Sequence, residues 1–138
     1  MKSIYTAEVT AKGGREGRIH SQDGVLDLGL AMPKALGGAG GAATNPEQLF
    51  AAGYAACFQS AMGVVARRMG VPVTNSEVTG QVSLNLTEQG GYKLSAELRI
   101  KIPDLPRADA EKLVAVAHTI CPYSLATQGN IEVKLVVV

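Results

Sequence analysis

From Asn45 to Gly70 the chain carries a pattern that admits little besides one long helix. Asn45 suits a helix cap, Pro46 suits the first helical position, and Glu47 and Gln48 place acceptors in the first turn. Leu49, Gly53, Ala56, Cys57, Ser60 and Val64 then recur at three- and four-residue spacing, which predicts an inward face that includes Cys57. The many small residues between Ala51 and Gly63 would let a second backbone approach closely. Gly70 and Pro72 end the element.

The flanking segments alternate. Ser3 to Ala11 has the period of a strand, with Tyr5, Ala7 and Val9 on one side. Gly13-Gly14 and Asp23-Gly24 are turns around a short strand from Arg18 to Ser21, and Val25 to Leu30 is a third strand. Met32 to Thr44, rich in Gly and Ala and broken by Pro33, is a loop. Glu77 to Thr87 and Tyr92 to Ile102 form a hairpin around Glu88-Gln89-Gly90-Gly91, with Val82, Leu84 and Leu86 facing Leu94, Leu98 and Ile100. Pro106 to Ile120 is a second helix with Leu113, Val114, Ala117 and Ile120 inward. Pro122 disfavours helical geometry at Cys121, so the second cysteine marks a break. Ile131 to Val138 closes the chain as a strand. The sum is an α+β fold, antiparallel strands packed on two main helices, in a single domain spanning residues 1–138.

At 138 residues, 46% hydrophobic and 18% charged, the chain has the composition of a globular domain able to bury a core. A formal net charge of +1 with no basic block argues against a nucleic-acid or membrane-surface partner. Met1 to Lys12 lacks a signal-peptide apolar segment. No apolar run reaches the ~18 residues of a membrane span. The expected compartment is the cytoplasm, which is reducing. Two cysteines there are more plausibly chemical or inert than a structural staple.

Each cysteine alone is ambiguous, since a free cysteine often packs as a small hydrophobe and reactivity needs a lowered pKa. Their spacing is not that of a C-x-x-C motif. A zinc site would have to recruit His118 and His20, and Cys57 has no second ligand near it in sequence. Gly38, Gly40 and Ala43 spell G-x-G-x-x-A, yet Pro33 intrudes before it and the helix starts late. Position 63, where a ribose-binding acid would stand, is glycine. Neither a metal nor a nucleotide cofactor is expected.

The run Thr44-Asn45-Pro46-Glu47-Gln48-Leu49-Phe50-Ala51-Ala52-Gly53-Tyr54-Ala55-Ala56-Cys57-Phe58 resembles the signature of the organic hydroperoxide resistance proteins (Ohr), a branch of the OsmC superfamily of small bacterial peroxidases. Cys121-Pro122-Tyr123-Ser124 resembles that family's other cysteine motif, and the order of elements is similar over essentially the whole chain. The resemblance implies that Cys57 is the peroxidatic cysteine and Cys121 the resolving one. It implies that Arg15, in the Gly-Gly-Arg-Glu-Gly turn, accompanies the thiolate, and that Glu47 holds Arg15. It further implies an OsmC-like fold, an obligate and intertwined homodimer, and reduction of organic hydroperoxides, fatty-acid ones included, to alcohols. The implied electron donors are lipoyl groups, as a lipoylated protein or dihydrolipoamide. A general OsmC-type peroxidase with other substrate or reductant preferences, and a thiol redox sensor, are the alternatives.

The residue types suit that chemistry. A cysteine of ordinary pKa, near ~8.5, is mostly protonated at neutral pH, and a guanidinium beside it favours the thiolate and can donate to peroxide oxygens. The sulfenic acid left on Cys57 condenses with a second thiol, and Cys121, at a break, is expected to be mobile enough to supply it. Phe50, Tyr54, Met62 and Tyr123 are candidates for lining an apolar substrate pocket. Glu47 and Cys57 are ten residues apart, about 15 Å along a straight helix. Either the helix breaks or Glu47 serves the site of a partner chain.

Overall fold

Asn45 caps as expected: its Oδ1 accepts the backbone N–H of Gln48 at 2.8 Å. Helix α1 runs from there as Pro46–Met69, and Gly70, at φ 69°, takes the left-handed conformation that ends it. The computed structural model describes residues 1–138. They group into two compact units, Met1–Leu49 and Phe50–Val138, and α1 begins in the first and continues through the second.

The buried stripe of α1 is Tyr54, Phe58, Ala61, Met62, Val65 and Ala66, not the Ala56–Ser60–Val64 stripe that spacing predicts. Size explains the difference. Burial pays in proportion to apolar area, so Tyr54, Phe58 and Met62 claim the core and the small residues take what remains. Cys57 is left half-buried at the edge of that stripe. By length and composition α1 is apolar enough to cross a membrane, with a mean hydropathy of 1.5, which corrects the expectation that no such run exists. Its largest side chains nonetheless pack into a protein core, with Tyr54, Phe58 and Met62 fully enclosed.

In the first unit, β1 (Val9–Lys12), β2 (Arg18–Ser21) and β3 (Asp27–Gly29) form an antiparallel sheet in that order. The first strand is shorter than its alternation suggests, because β2 offers only four residues to pair, and residues 1–8 lie exposed outside it. The third is shorter too, although Leu30 adds a lone bridge to Thr44. The expected Met32–Thr44 loop holds one 3-10 turn, Lys34–Leu36. Ile19 and Leu30 are the buried hydrophobic residues of this unit.

In the second unit, β4 (Glu77–Leu86) and β5 (Tyr92–Lys101) form the predicted hairpin. Leu84 pairs with Leu94, while Leu98 and Ile100 stand opposite Gly80 and Val78. A Cβ at Gly80 would come within 2.8 Å of the Ala51 carbonyl oxygen, so the hairpin reaches the backbone of α1 where small residues permit it. Helices α2 (Arg107–Ile120) and α3 (Pro122–Thr127) carry the chain to β6 (Glu132–Val137). Strand β6 joins β5 in parallel, with Leu135 beside Leu98, so this sheet is mixed and not purely antiparallel. A helical crossover is the connection that a parallel pair requires. Leu98, Ile100, Leu113, Val114 and Ala117 complete the core that α1 enters.

Candidate active site

The two cysteines, 64 residues apart in sequence, meet in space with their sulfur atoms 3.8 Å apart. Both are free thiols; Cys57 is half-buried on α1, and Cys121 is fully enclosed at the joint of α2 and α3. Pro122 forces the backbone of Cys121 out of the helical well, to φ −64° and ψ 121°, and then opens α3 at its first position. The backbone of Cys121 is hydrogen-bonded on both sides. Its N–H donates to the Ala117 carbonyl at 2.9 Å, and its carbonyl accepts from the Leu125 N–H at 3.0 Å. A disulfide needs sulfurs ~2.05 Å apart, so closure requires a shift of roughly 1.8 Å, within reach of side-chain rotation and a small helix adjustment.

The surroundings of Cys57 pull in opposite directions. Burial pushes its thiol pKa up, a hydrogen bond from the Tyr123 backbone N–H pulls it down, and the adjacent Cys121 sulfur pushes it up again. The net direction is upward. An upward shift favours the protonated thiol, and a cation beside such a sulfur would favour the thiolate.

The first unit holds a guanidinium in a fixed pose. Arg15 Nη1 donates to Glu47 Oε2 at 2.8 Å and Nη2 to Oε1 at 2.6 Å, a two-point fork. Gly13, at φ 86°, starts the 3-10 turn Gly14–Glu16 that presents Arg15, and Glu47 occupies the first turn of α1. The Arg15 hydrogen bonds hold the Glu47 carboxyl below the usual carboxylate range against its partial burial. The pair uses two of the five guanidinium donors, leaving others for a ligand oxygen.

Beside Cys57 opens a groove of about 730 Å³, walled by Ala56, Cys57, Ser60, Val64, Ile120 and Pro122 among others. Its wall is the α1 face that spacing had assigned to the core. Of the four pocket candidates, Phe50 and Tyr123 are partly accessible and meet edge to face at 6.1 Å between ring centres. Tyr54 and Met62 are fully enclosed and belong to the core, so neither can line an open pocket. Gly53 leaves room for Tyr123, whose Oη would stand 2.5 Å from a Cβ at that position.

Sequence reasoning missed α3 and the polar residues it carries. Ser124 and Thr127 are buried, and the Ser124 Oγ lies 2.8 Å from both Tyr54 Oη and His118 Nδ1. The signal was present in outline, since Pro122 opens a helix as readily as it breaks one, and Ser124 and Thr127 share a face at three-residue spacing.

Residues 38–136 match the family model described as OsmC-like protein. The chain is 52% identical over 134 residues to the organic hydroperoxide resistance protein OhrB of Bacillus subtilis, covering 96% of this chain and 97% of that protein. The chain belongs to the OsmC-like family, in its organic hydroperoxide resistance branch. An organic hydroperoxide resistance protein of Xanthomonas axonopodis pv. citri is 51% identical over 135 residues, 97% of this chain and 94% of that one. A crystal structure of an organic hydroperoxide resistance protein from Legionella pneumophila superposes with a TM-score of 0.93 at 51% identity, covering 99% of this chain and 98% of that one. The α+β architecture is thus the OsmC/Ohr fold.

Proposed function

We propose that this OsmC-like protein is a cysteine-based peroxidase that reduces organic hydroperoxides, fatty-acid ones included, to alcohols. One observation carries the reading: two free thiols 3.8 Å apart, one half-buried beside an open groove and the other sealed behind it. The names of its relatives agree.

In the first step the Cys57 thiolate attacks the outer peroxide oxygen. The O–O bond breaks, a sulfenic acid forms on Cys57, and the alkoxide leaves as the alcohol after taking a proton. Arg15, held by Glu47, supplies the positive charge that favours the thiolate and steadies the departing oxygen. In the second step Cys121 attacks the sulfenic sulfur, a disulfide forms and water leaves. A lipoyl dithiol, on a protein or as dihydrolipoamide, then takes up the disulfide and returns both thiols. Phe50 and Tyr123 favour an organic chain over water at the mouth of the site. The reducing cytoplasm is the compartment in which such a cycle runs.

The working unit is an intertwined homodimer with shared sites. Residues 1–8 alternate like a strand yet lie exposed and unpaired apart from a bond of the Glu8 carbonyl to the Gln22 N–H at 3.0 Å, an arm suited to a second copy. An unbroken helix also separates Glu47 from Cys57, which supports a Glu47 that serves the partner's thiol. A mixture of Glu47→Ala and Cys57→Ser chains that recovers no activity counts against sharing.

The deciding experiment is stoichiometric oxidation by an organic hydroperoxide, with thiol titration and intact mass. Wild type is expected to lose two thiols as an intramolecular disulfide, Cys121→Ser to stop at an oxidised Cys57, and Cys57→Ser to stay inert. Both single variants still consuming peroxide would defeat the reading. Steady turnover with dihydrolipoamide separates an enzyme from a sensor, which oxidises once and stops.

A further inference from the structure

Behind the cysteine pair lies a chain of buried hydroxyls that the peroxidase steps do not consume. Tyr54 Oη is 2.8 Å from Ser124 Oγ and 3.3 Å from Thr127 Oγ1. Ser124 Oγ is 2.8 Å from His118 Nδ1, and Thr127 Oγ1 donates to the Ser124 carbonyl at 3.1 Å. Tyr54, Ser124 and Thr127 are at most 2% exposed. Three hydroxyls enclosed this completely need every partner they have, and Phe and Ala would fill the same space with no polar group to satisfy.

Their placement supplies a reason. Tyr54 stands about one turn of α1 before Cys57. His118 stands three residues before Cys121 at the end of α2, and Ser124 three residues after it on α3. The Ser124 hydroxyl therefore joins all three helices that carry or flank the two sulfurs. At Cys121 itself the backbone has left the helical well, so the bend between α2 and α3 would otherwise be braced only by two backbone hydrogen bonds and packing.

We propose that Ser124 is a positioning residue, anchored by Tyr54 and His118, that sets the Cys121 sulfur at attack distance from Cys57. The inference rests on the thiol-peroxidase reading and concerns only its closure step. In that step the Cys121 thiolate attacks the Cys57 sulfenic sulfur, the S–S bond forms, the S–O bond breaks, and hydroxide leaves with a proton as water. The network exchanges no electrons. Slower closure leaves the sulfenic acid open to a second peroxide and hence to irreversible sulfinic acid.

The test mixes reduced full-length protein with cumene hydroperoxide, quenches with acid over time and reads intact mass, which separates Cys57 oxidation from disulfide closure. Ser124→Ala and Tyr54→Phe are expected to lower the ratio of closure rate to oxidation rate about tenfold, the scale of a small misplacement of reacting groups. Under excess peroxide both should accumulate sulfinic acid on Cys57. His118→Leu should behave likewise, and His118→Asn, whose amide reaches the place of Nδ1, should restore most of the ratio. Tyr54→Phe keeps its ring in the core, so a folded Tyr54→Phe protein with the wild-type ratio overturns the inference. A wild-type ratio in His118→Leu overturns it too. Failure of wild type to oxidise Cys57 at all shows in the first phase and removes the peroxidase reading, this inference with it.

Discussion

Residues 1–49 and residues 50–138 solve opposite problems. The first stretch has three short strands, glycine turns and two buried hydrophobic residues, yet it holds a forked ion pair between Arg15 and Glu47. The second has a continuous apolar core and seats both thiols against it, where burial pushes the Cys57 pKa up. Charge is cheap to keep where water is near and costly where it is not. An enclosed seat holds the two sulfurs near each other, which suits the proposed pairing. The proposed chemistry draws on both stretches, the forked cation of the first and the paired thiols of the second.

The largest effect should follow loss of the proposed nucleophile. Cys57→Ser is expected to lower hydroperoxide consumption by about 10⁴-fold or more, in line with removal of the central group of a catalytic unit. Cys121→Ser should keep the first oxidation and lose turnover with dihydrolipoamide. Comparable steady turnover in both variants would erase the distinction between attacking and resolving sulfur.

Next in size is a contrast in packing. Phe58→Ala empties a fully enclosed site and should cost about 3–5 kcal/mol in urea unfolding, whereas Leu28→Ala, at a position 40% exposed, should stay within about 0.5 kcal/mol. Similar costs at the two positions would mean that residues 1–49 bury far more in solution than one chain does alone.

The same contrast governs what could be foreseen. The α1 boundaries, the hairpin turn and the break at Cys121 follow from Asn45, Pro46, Gly70, Gly90 and Pro122, residues whose own backbone preferences settle the local geometry. The buried face of α1 did not follow from spacing, because two stripes compete and the larger side chains of Tyr54, Phe58 and Met62 win. The parallel placement of β6 depends on where α2 and α3 deliver the chain, a long-range outcome invisible to local periodicity. The fork between Arg15 and Glu47 spans 32 residues, and only the family resemblance pointed to it. The spacing of Ser124 and Thr127 hints at a shared face, but the partners of the Ser124 hydroxyl lie on two other helices and no local pattern names them.

Arg15→Ala should slow Cys57 oxidation about 10²- to 10³-fold at neutral pH, the scale for losing one preorganised donor to developing charge. Arg15→Lys should recover only part, since an ammonium cannot reproduce the fork. If Arg15 acts by favouring the thiolate, as proposed, the deficit should shrink as pH increases toward 9. Profiles that stay parallel from pH 6 to 9 would assign Arg15 to the departing alkoxide and not to the thiolate.

The smallest effect concerns the ion pair as a source of stability. The Glu47 carboxyl is held below its ordinary range in the folded chain, so its contribution is present above the unfolded glutamate pKa of about 4.3 and is lost as pH falls through the folded value. Arg15 is 32% exposed, and solvent screening keeps the pair to about 1 kcal/mol. Urea unfolding of wild type and Glu47→Gln should therefore differ by about that amount at pH 7 and converge as pH falls through the folded value. A gap that persists undiminished as pH falls cannot come from a carboxylate, because protonation removes its charge. In that case the fork would matter to residues 1–49 through its shape, and its charge would be left free for catalysis.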